Sequence, residues 1–165
     1  MTIALLRAGQ KKERLPDGEN VIRLIKKTTN DGKISPDEFE LSTEDKKSEL
    51  KSLSVWADKL TTPEQAREFM GKKKESYSLF CVLNVDEVRA LRPDPDNVDV
   101  SSLDVVWDPL TLLQEDGTEL PDSPSGAEGH SGITGLMRVG LPRISFFSLR
   151  SQLADHANGT LKSIA

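Results

Sequence analysis

Apolar and polar positions alternate along this chain in short bursts rather than long runs. Asn20-Val-Ile-Arg-Leu-Ile-Lys26 mixes β-branched and aliphatic residues between two turn signals, Pro16-Asp-Gly18 and Thr28 to Gly32, which predicts a strand. Leu53-Ser-Val-Trp-Ala57 and Leu103-Asp-Val-Val-Trp107 predict two more, the second closed by Asp108-Pro109. Tyr77 to Val85 is apolar at most positions and predicts a central strand. Ile133 to Val139 predicts the last.

Helix signals lie between these runs. Ser35-Pro-Asp-Glu38 has a serine cap, a proline at the first position and a glutamate three residues on. Only Phe39 and Leu41 follow, enough for one helical turn or the edge of a strand. Residues 42–51 read as a charged loop or a short exposed helix. Thr62-Pro-Glu-Gln65 is a cleaner start, and Ala66, Phe69 and Met70 keep helical spacing before Gly71 and three lysines. Asp86 to Leu91 predicts a short helix stopped by Pro93. Pro142 leads into a longer one with Ile144, Phe147, Leu149, Leu153 and Ala157 along one side.

About five strands and about three helices in irregular order do not fit the strict alternation of a doubly wound sheet. The expected fold is α+β: a single compact domain over residues 1–165 with a mixed or antiparallel sheet. Residues 1–19 allow a flexible start. Residues 110–131 predict a long loop, a feature that in compact domains serves function or disorder.

Composition narrows the function classes. At 165 residues the chain is long enough for one self-sufficient core. The net charge of −5 comes with scattered basic residues, which disfavours nucleic acid as a partner. No apolar run reaches the ~20 residues a membrane span needs, and the start of the chain has no signal-peptide pattern. A cytoplasmic location is the simplest expectation. The one cysteine, Cys81, sits in the apolar run Ser78-Leu-Phe-Cys-Val-Leu83 and reads as a core residue.

Several motifs suggest chemistry. Asp31-Gly-Lys-Ile-Ser-Pro-Asp-Glu38 resembles the second half of an EF-hand loop, but Lys27 and Thr29 would occupy its first two ligand positions, and a lysine ammonium repels calcium. Gly129-His-Ser-Gly132 resembles a nucleophile elbow around Ser131, yet the second glycine is replaced by Ile133. His130 and His156 lack metal-ligand spacing, so no metal and no cofactor is expected. Trp56 and Trp107 end short strands and suit core positions.

Three residues stand as ligand-binding candidates: Arg23, Ser54 and His130. Arg23 shares a strand face with Val21 and Ile25, as a snorkelling side chain or a partly buried anion clamp. His130, at a loop-to-strand junction, could anchor its loop through a backbone carbonyl or act as acid, base or donor near neutral pH.

Taken in order, Val21-Ile-Arg-Leu24, Ser35-Pro-Asp-Glu-Phe39, Leu53-Ser-Val55, Val105-Val-Trp-Asp-Pro109 and His130-Ser-Gly-Ile-Thr-Gly-Leu136 resemble a pattern of small uncharacterised bacterial proteins, one that implies no activity. A fainter similarity is to ADP-ribosyltransferase-like domains, which place an arginine or histidine on an early strand and a serine on a later one around a dinucleotide cleft. Arg23 and Ser54 fit that placement, while the glutamate such enzymes often carry has no counterpart near the end of this chain. Two expectations follow. The first is a non-enzymatic binding or accessory module of a bacterial cytosolic system, with a protein partner. The second is a small nucleotide- or NAD-binding enzyme that uses Arg23, Ser54 and His130.

Overall fold

A computed structural model describes residues 5–7, 13–42, 45–46, 51–93, 103–113, 116, 118, 124–136 and 143–164. Nine strands are present among them: β1 (Leu5–Arg7), β2 (Glu13–Arg14), β3 (Asn20–Ile25), β4 (Leu53–Ala57), β5 (Leu79–Asn84), β6 (Asp104–Trp107), β7 (Thr111–Leu113), β8 (His130–Thr134) and β9 (Lys162–Ser163). Three α-helices with full bounds accompany them, α1 (Pro63–Glu68), α2 (Val85–Ala90) and α3 (Arg143–Asn158), and Asp45 and Lys46 are helical as well. Seven strands form one antiparallel sheet in the order β2-β6-β8-β4-β3-β5-β9, and β1 pairs with β7 separately. The α+β expectation holds, but the strand count exceeds five. The added strands, β1, β2, β7 and β9, are two or three residues long and exist only through their pairing partners.

Two sequence-based expectations shift. The Tyr77–Val85 run does not form the central strand, since β5 lies one place from the edge and β4 sits in the middle. The long loop of 110–131 contains β7, a 3-10 turn at Ala127–Gly129 and the start of β8. The last apolar strand therefore begins at His130 and ends at Thr134; residues 137–142 lie outside the described residues, as do 1–4 and 8–12 at the start of the chain.

Strand alternation feeds two cores. Val21 and Ile25 of β3, Leu53 and Val55 of β4, Cys81 and Leu83 of β5 and Ile133 of β8 meet Phe39, Val88 of α2, and Leu149, Leu153 and Ala157 of α3 in the larger one. Ile22 and Leu24 of β3 and Trp56 of β4 point the other way, onto Ala66 of α1, Phe69 and Tyr77. Helix α1 has the expected capping box: the Gln65 N–H donates to Thr62 Oγ1 at 3.2 Å and the Thr62 N–H to Gln65 Oε1 at 3.0 Å. Ser35 caps a 3-10 turn at Pro36–Phe39, which packs against α3.

Helix α3 departs from its expected apolar side. Leu149, Leu153 and Ala157 are buried, whereas Ile144 is 76% and Phe147 55% exposed. Phe147 precedes Leu149 by two residues, a rotation of about 200° around a helix of 3.6 residues per turn, so the two cannot face one core.

Candidate functional site

Between β3 and β4 the ladder is short. It joins Val21 to Ala57 and Ile22 to Trp56, while β3 pairs with β5 along its whole length. Past Ile22 the Ser54 carbonyl is bonded by a side chain. Arg23 donates from Nη1 to the Ser54 carbonyl at 2.8 Å, and from Nη2 and Nε to the Glu38 carbonyl at 2.9 and 3.2 Å. The guanidinium thus ties the 3-10 turn to both strands. A buried carbonyl without a partner is costly, and a planar fork with five N–H groups suits two of them at once. Arg23 does lie in phase with Val21 and Ile25, but its bonded partners are backbone carbonyls rather than an anion.

Ser54 extends from the middle strand of the sheet and is half-buried. Its hydroxyl lies 3.1 Å from Asp45 Oδ1 and 3.2 Å from His130 Nε2. Asp45 is held by a reciprocal cap: the Ser42 N–H donates to Asp45 Oδ2 at 3.3 Å and the Asp45 N–H to Ser42 Oγ at 3.1 Å. Asp45 and Lys46 are helical, while 43–44 and 47–50 of the segment expected as a loop or short helix lie outside the described residues; the cap places a carboxylate beside the sheet.

His130 opens β8 opposite Trp56. Its Nδ1 lies 2.8 Å from the Asp108 carbonyl, and the Asp108 N–H donates to the His130 carbonyl at 3.0 Å. The Trp56 ring meets the imidazole edge-on at 4.9 Å between centroids and stacks on Phe69 at 5.0 Å. The preceding turn is locked as well. Thr61 Oγ1 donates to the Gly126 carbonyl at 2.7 Å, and the Leu110 N–H to the Ala127 carbonyl at 2.9 Å. Gly126 has φ 89°, and any side chain at Gly129 would run into Thr61. Only glycine meets both demands. Burial holds the His130 imidazole below the ordinary histidine pKa, against the opposing pull of Asp108 and Asp45. The anchoring bond to a backbone carbonyl expected of His130 is present, and so is a second contact, to Ser54.

Ser54 therefore touches both Arg23 and His130, the histidine through its hydroxyl and the arginine through its backbone carbonyl. Sequence reasoning did not single out Asp45 as a member of this cluster, nor Asp108 for more than closing a strand. Ser42-Thr-Glu-Asp45 is itself a capping-box spacing and was the available signal for the first. Ser131, by contrast, is fully buried and donates to the Gly129 carbonyl at 3.1 Å. In the segment resembling an EF-hand, Glu38 Oε1 accepts the Lys27 N–H at 3.1 Å, and Thr28 bridges Ile34.

Beside Arg23 runs a groove of about 800 Å³. Lys26, Lys27, Asp37, Glu38, Glu40 and Tyr77 contribute to its walls, with Lys26 Nζ 5.3 Å from the centre of the Tyr77 ring. A smaller cleft of about 360 Å³ lies between Leu15, Ala57, Leu60 and Trp107. Among the described residues no group of three or more His, Cys, Asp or Glu side chains is placed to hold a metal ion, and no helix is long and apolar enough to cross a membrane. No family model, curated protein or solved structure matches this chain.

Proposed function

We propose that this chain is a non-enzymatic binding or accessory module of a bacterial cytosolic system, and that its partner is a protein segment bearing charges of both signs. The observation that carries this is the groove beside Arg23, whose walls set Lys26 and Lys27 against Asp37, Glu38 and Glu40. Such a surface steers and orients a charged chain more than it captures a small apolar ligand. Interior bonding supports the same reading. The Arg23 guanidinium and both His130 ring nitrogens already have protein partners, which anchor the groove wall and the 124–130 turn to the sheet. The test is affinity capture with the native protein and with a Lys26→Glu, Lys27→Glu variant, followed by titration of the purified partner. Loss of binding in the variant is expected. A partner that binds both forms equally, in a salt-independent manner, overturns the assignment of the groove.

A second reading is favoured by one observation, the convergence of Arg23 and His130 on Ser54. In it the chain is a small enzyme or nucleotide binder, including the NAD-dependent type, that works at these three residues. A thermal-shift screen of the native protein and His130→Ala against nucleotides and nicotinamide dinucleotide tests it. A ligand that stabilises the native form and not the variant supports it; no shift with any ligand counts against it.

A further inference from the structure

Three contacts form a chain: Asp108 carbonyl to His130 Nδ1 at 2.8 Å, His130 Nε2 to Ser54 Oγ at 3.2 Å, and Ser54 Oγ to Asp45 Oδ1 at 3.1 Å. A carbonyl oxygen only accepts, so Nδ1 must carry a hydrogen. In neutral imidazole Nε2 is then a bare lone pair aimed at the serine oxygen. An ionised Asp45 is likewise only an acceptor. The Ser54 hydroxyl donates its one proton to Asp45 Oδ1, and the His130 Nε2 lone pair, 3.2 Å from the same oxygen, is the second neighbour able to take it. That is the arrangement of an activated hydroxyl: a nucleophile in contact with a base, and a third group that fixes the base's tautomer.

We propose that Ser54 and His130 form a nucleophile–base pair that accepts an electrophilic acyl group onto the Ser54 oxygen. The inference rests on the second reading above, names its chemistry, and replaces the non-enzymatic reading if it is upheld. Ser54 Oγ bonds to the acyl carbon while the hydroxyl proton passes to His130 Nε2. The bond from the acyl carbon to the leaving oxygen breaks, and that oxygen departs with the electron pair, taking the proton from Nε2. Water entering by the reverse route releases the acid and restores the serine. Several features keep the pair in register. His130 is wedged edge-on against Trp56, and its turn is closed by Thr61 and Gly126. The Ser54 backbone is held from the other side by Arg23, and Asp45 is fixed by its cap with Ser42. Ser54 itself is half-buried in the middle strand of the sheet.

The test uses p-nitrophenyl acetate with the full chain. A burst of p-nitrophenolate equal to the protein present is expected, with the acetyl group mapped to Ser54 by peptide mass. Ser54→Ala, which removes one oxygen, abolishes the burst. His130→Asn keeps a side-chain N–H able to reach the Asp108 carbonyl but has no base at the Nε2 position. Its burst slows by about 100-fold or more, the usual share of a general base. Because burial lowers the pKa of the imidazole, the native burst rate falls off at a lower pH than the ~6.5 at which an ordinary histidine loses half its base form. Circular dichroism checks that each variant folds, and the peptide map of the native protein needs no variant. Absence of acetyl on Ser54 overturns the proposal, as does a His130→Asn variant that reacts at the native rate. A nucleotide that binds through His130 while Ser54 stays unacetylated also overturns the nucleophile, yet leaves the second reading standing.

Discussion

The Arg23 guanidinium donates to the Ser54 carbonyl at 2.8 Å, across the gap where β3 and β4 stop pairing. One side chain thereby does the work of a missing ladder bond and fixes the backbone of the candidate nucleophile. Replacing it with methionine keeps the aliphatic stem and removes all three bonds. Two partly buried carbonyls, of Ser54 and Glu38, lose their guanidinium partner. The expected loss of stability is about 2–6 kcal/mol, from the usual cost of ~1–3 kcal/mol for each of the two polar groups left unsatisfied, and lies toward the lower end because both are only partly buried. Urea denaturation of Arg23→Met against the native protein measures it. A change near zero shows that water replaces the guanidinium.

For His130 the direction of the pH dependence follows from burial. Its folded-state pKa lies below the ordinary value, because burial disfavours the imidazolium. The unfolded chain therefore takes up a proton first on acidification. The stability tied to this residue is fully present above pH ~6.5 and is lost as pH falls from there through the lower folded-state value. Denaturation midpoints measured between pH 7.5 and 5 should drop more steeply for the native protein than for His130→Asn. Parallel curves would show that the histidine does not titrate differently on folding.

Cys81 is wholly buried, with its thiol 3.7 Å from the Arg23 carbonyl, and burial pushes its pKa up to about 12. The thiolate is the reactive form, so this thiol should be inert in the folded protein. Labelling by a disulfide reagent at pH 8 is expected to proceed at the rate of unfolding and to leap in denaturant. Rapid labelling of the native fold would contradict the burial.

At the other end of the sheet, Thr160 completes an edge. Its hydroxyl oxygen lies 2.9 Å from both the N–H and the carbonyl oxygen of Val82, just past the two residues through which β9 pairs with β5. The side chain imitates an absent strand residue and covers polar edge groups that invite pairing with other chains. Thr160→Val keeps the shape and removes the bonds. A loss of about 1–2 kcal/mol is expected from the stranded N–H, read as a lower melting temperature. Increased aggregation on heating is the accompanying sign of an uncovered edge.

Much of the local structure was legible in residue order alone, because caps and alternation act over a few residues. The Thr62 capping box, the Ser35 cap and the two-sided pattern of Val21 to Ile25 all rest on neighbours within one turn or one pleat. The burial of Cys81 followed from its apolar flanks. The buried face of α3 is not legible toward its start, where Ile144 and Phe147 are exposed, since a string of apolar residues does not say which of them a particular sheet will cover.

What lay beyond the chain's own order was decided by pairing. Strands of two or three residues such as β2 and β9 have too few side chains to carry a pattern, and form only where a longer strand supplies bonds. The meeting of Arg23, Ser54 and His130 depends on β4 being seated between β3 and β8, so that residues 31 and 76 positions from Ser54 become its neighbours. Asp108 joins through the pairing of β6 with β8, and Asp45 through the fold-back of the nine residues before Ser54. Sequence determined which side chains were chemically able to hydrogen-bond to one another; only the tertiary structure decided that they do, because hydrogen bonds need contact within about 3 Å and the chain reaches that distance only by folding.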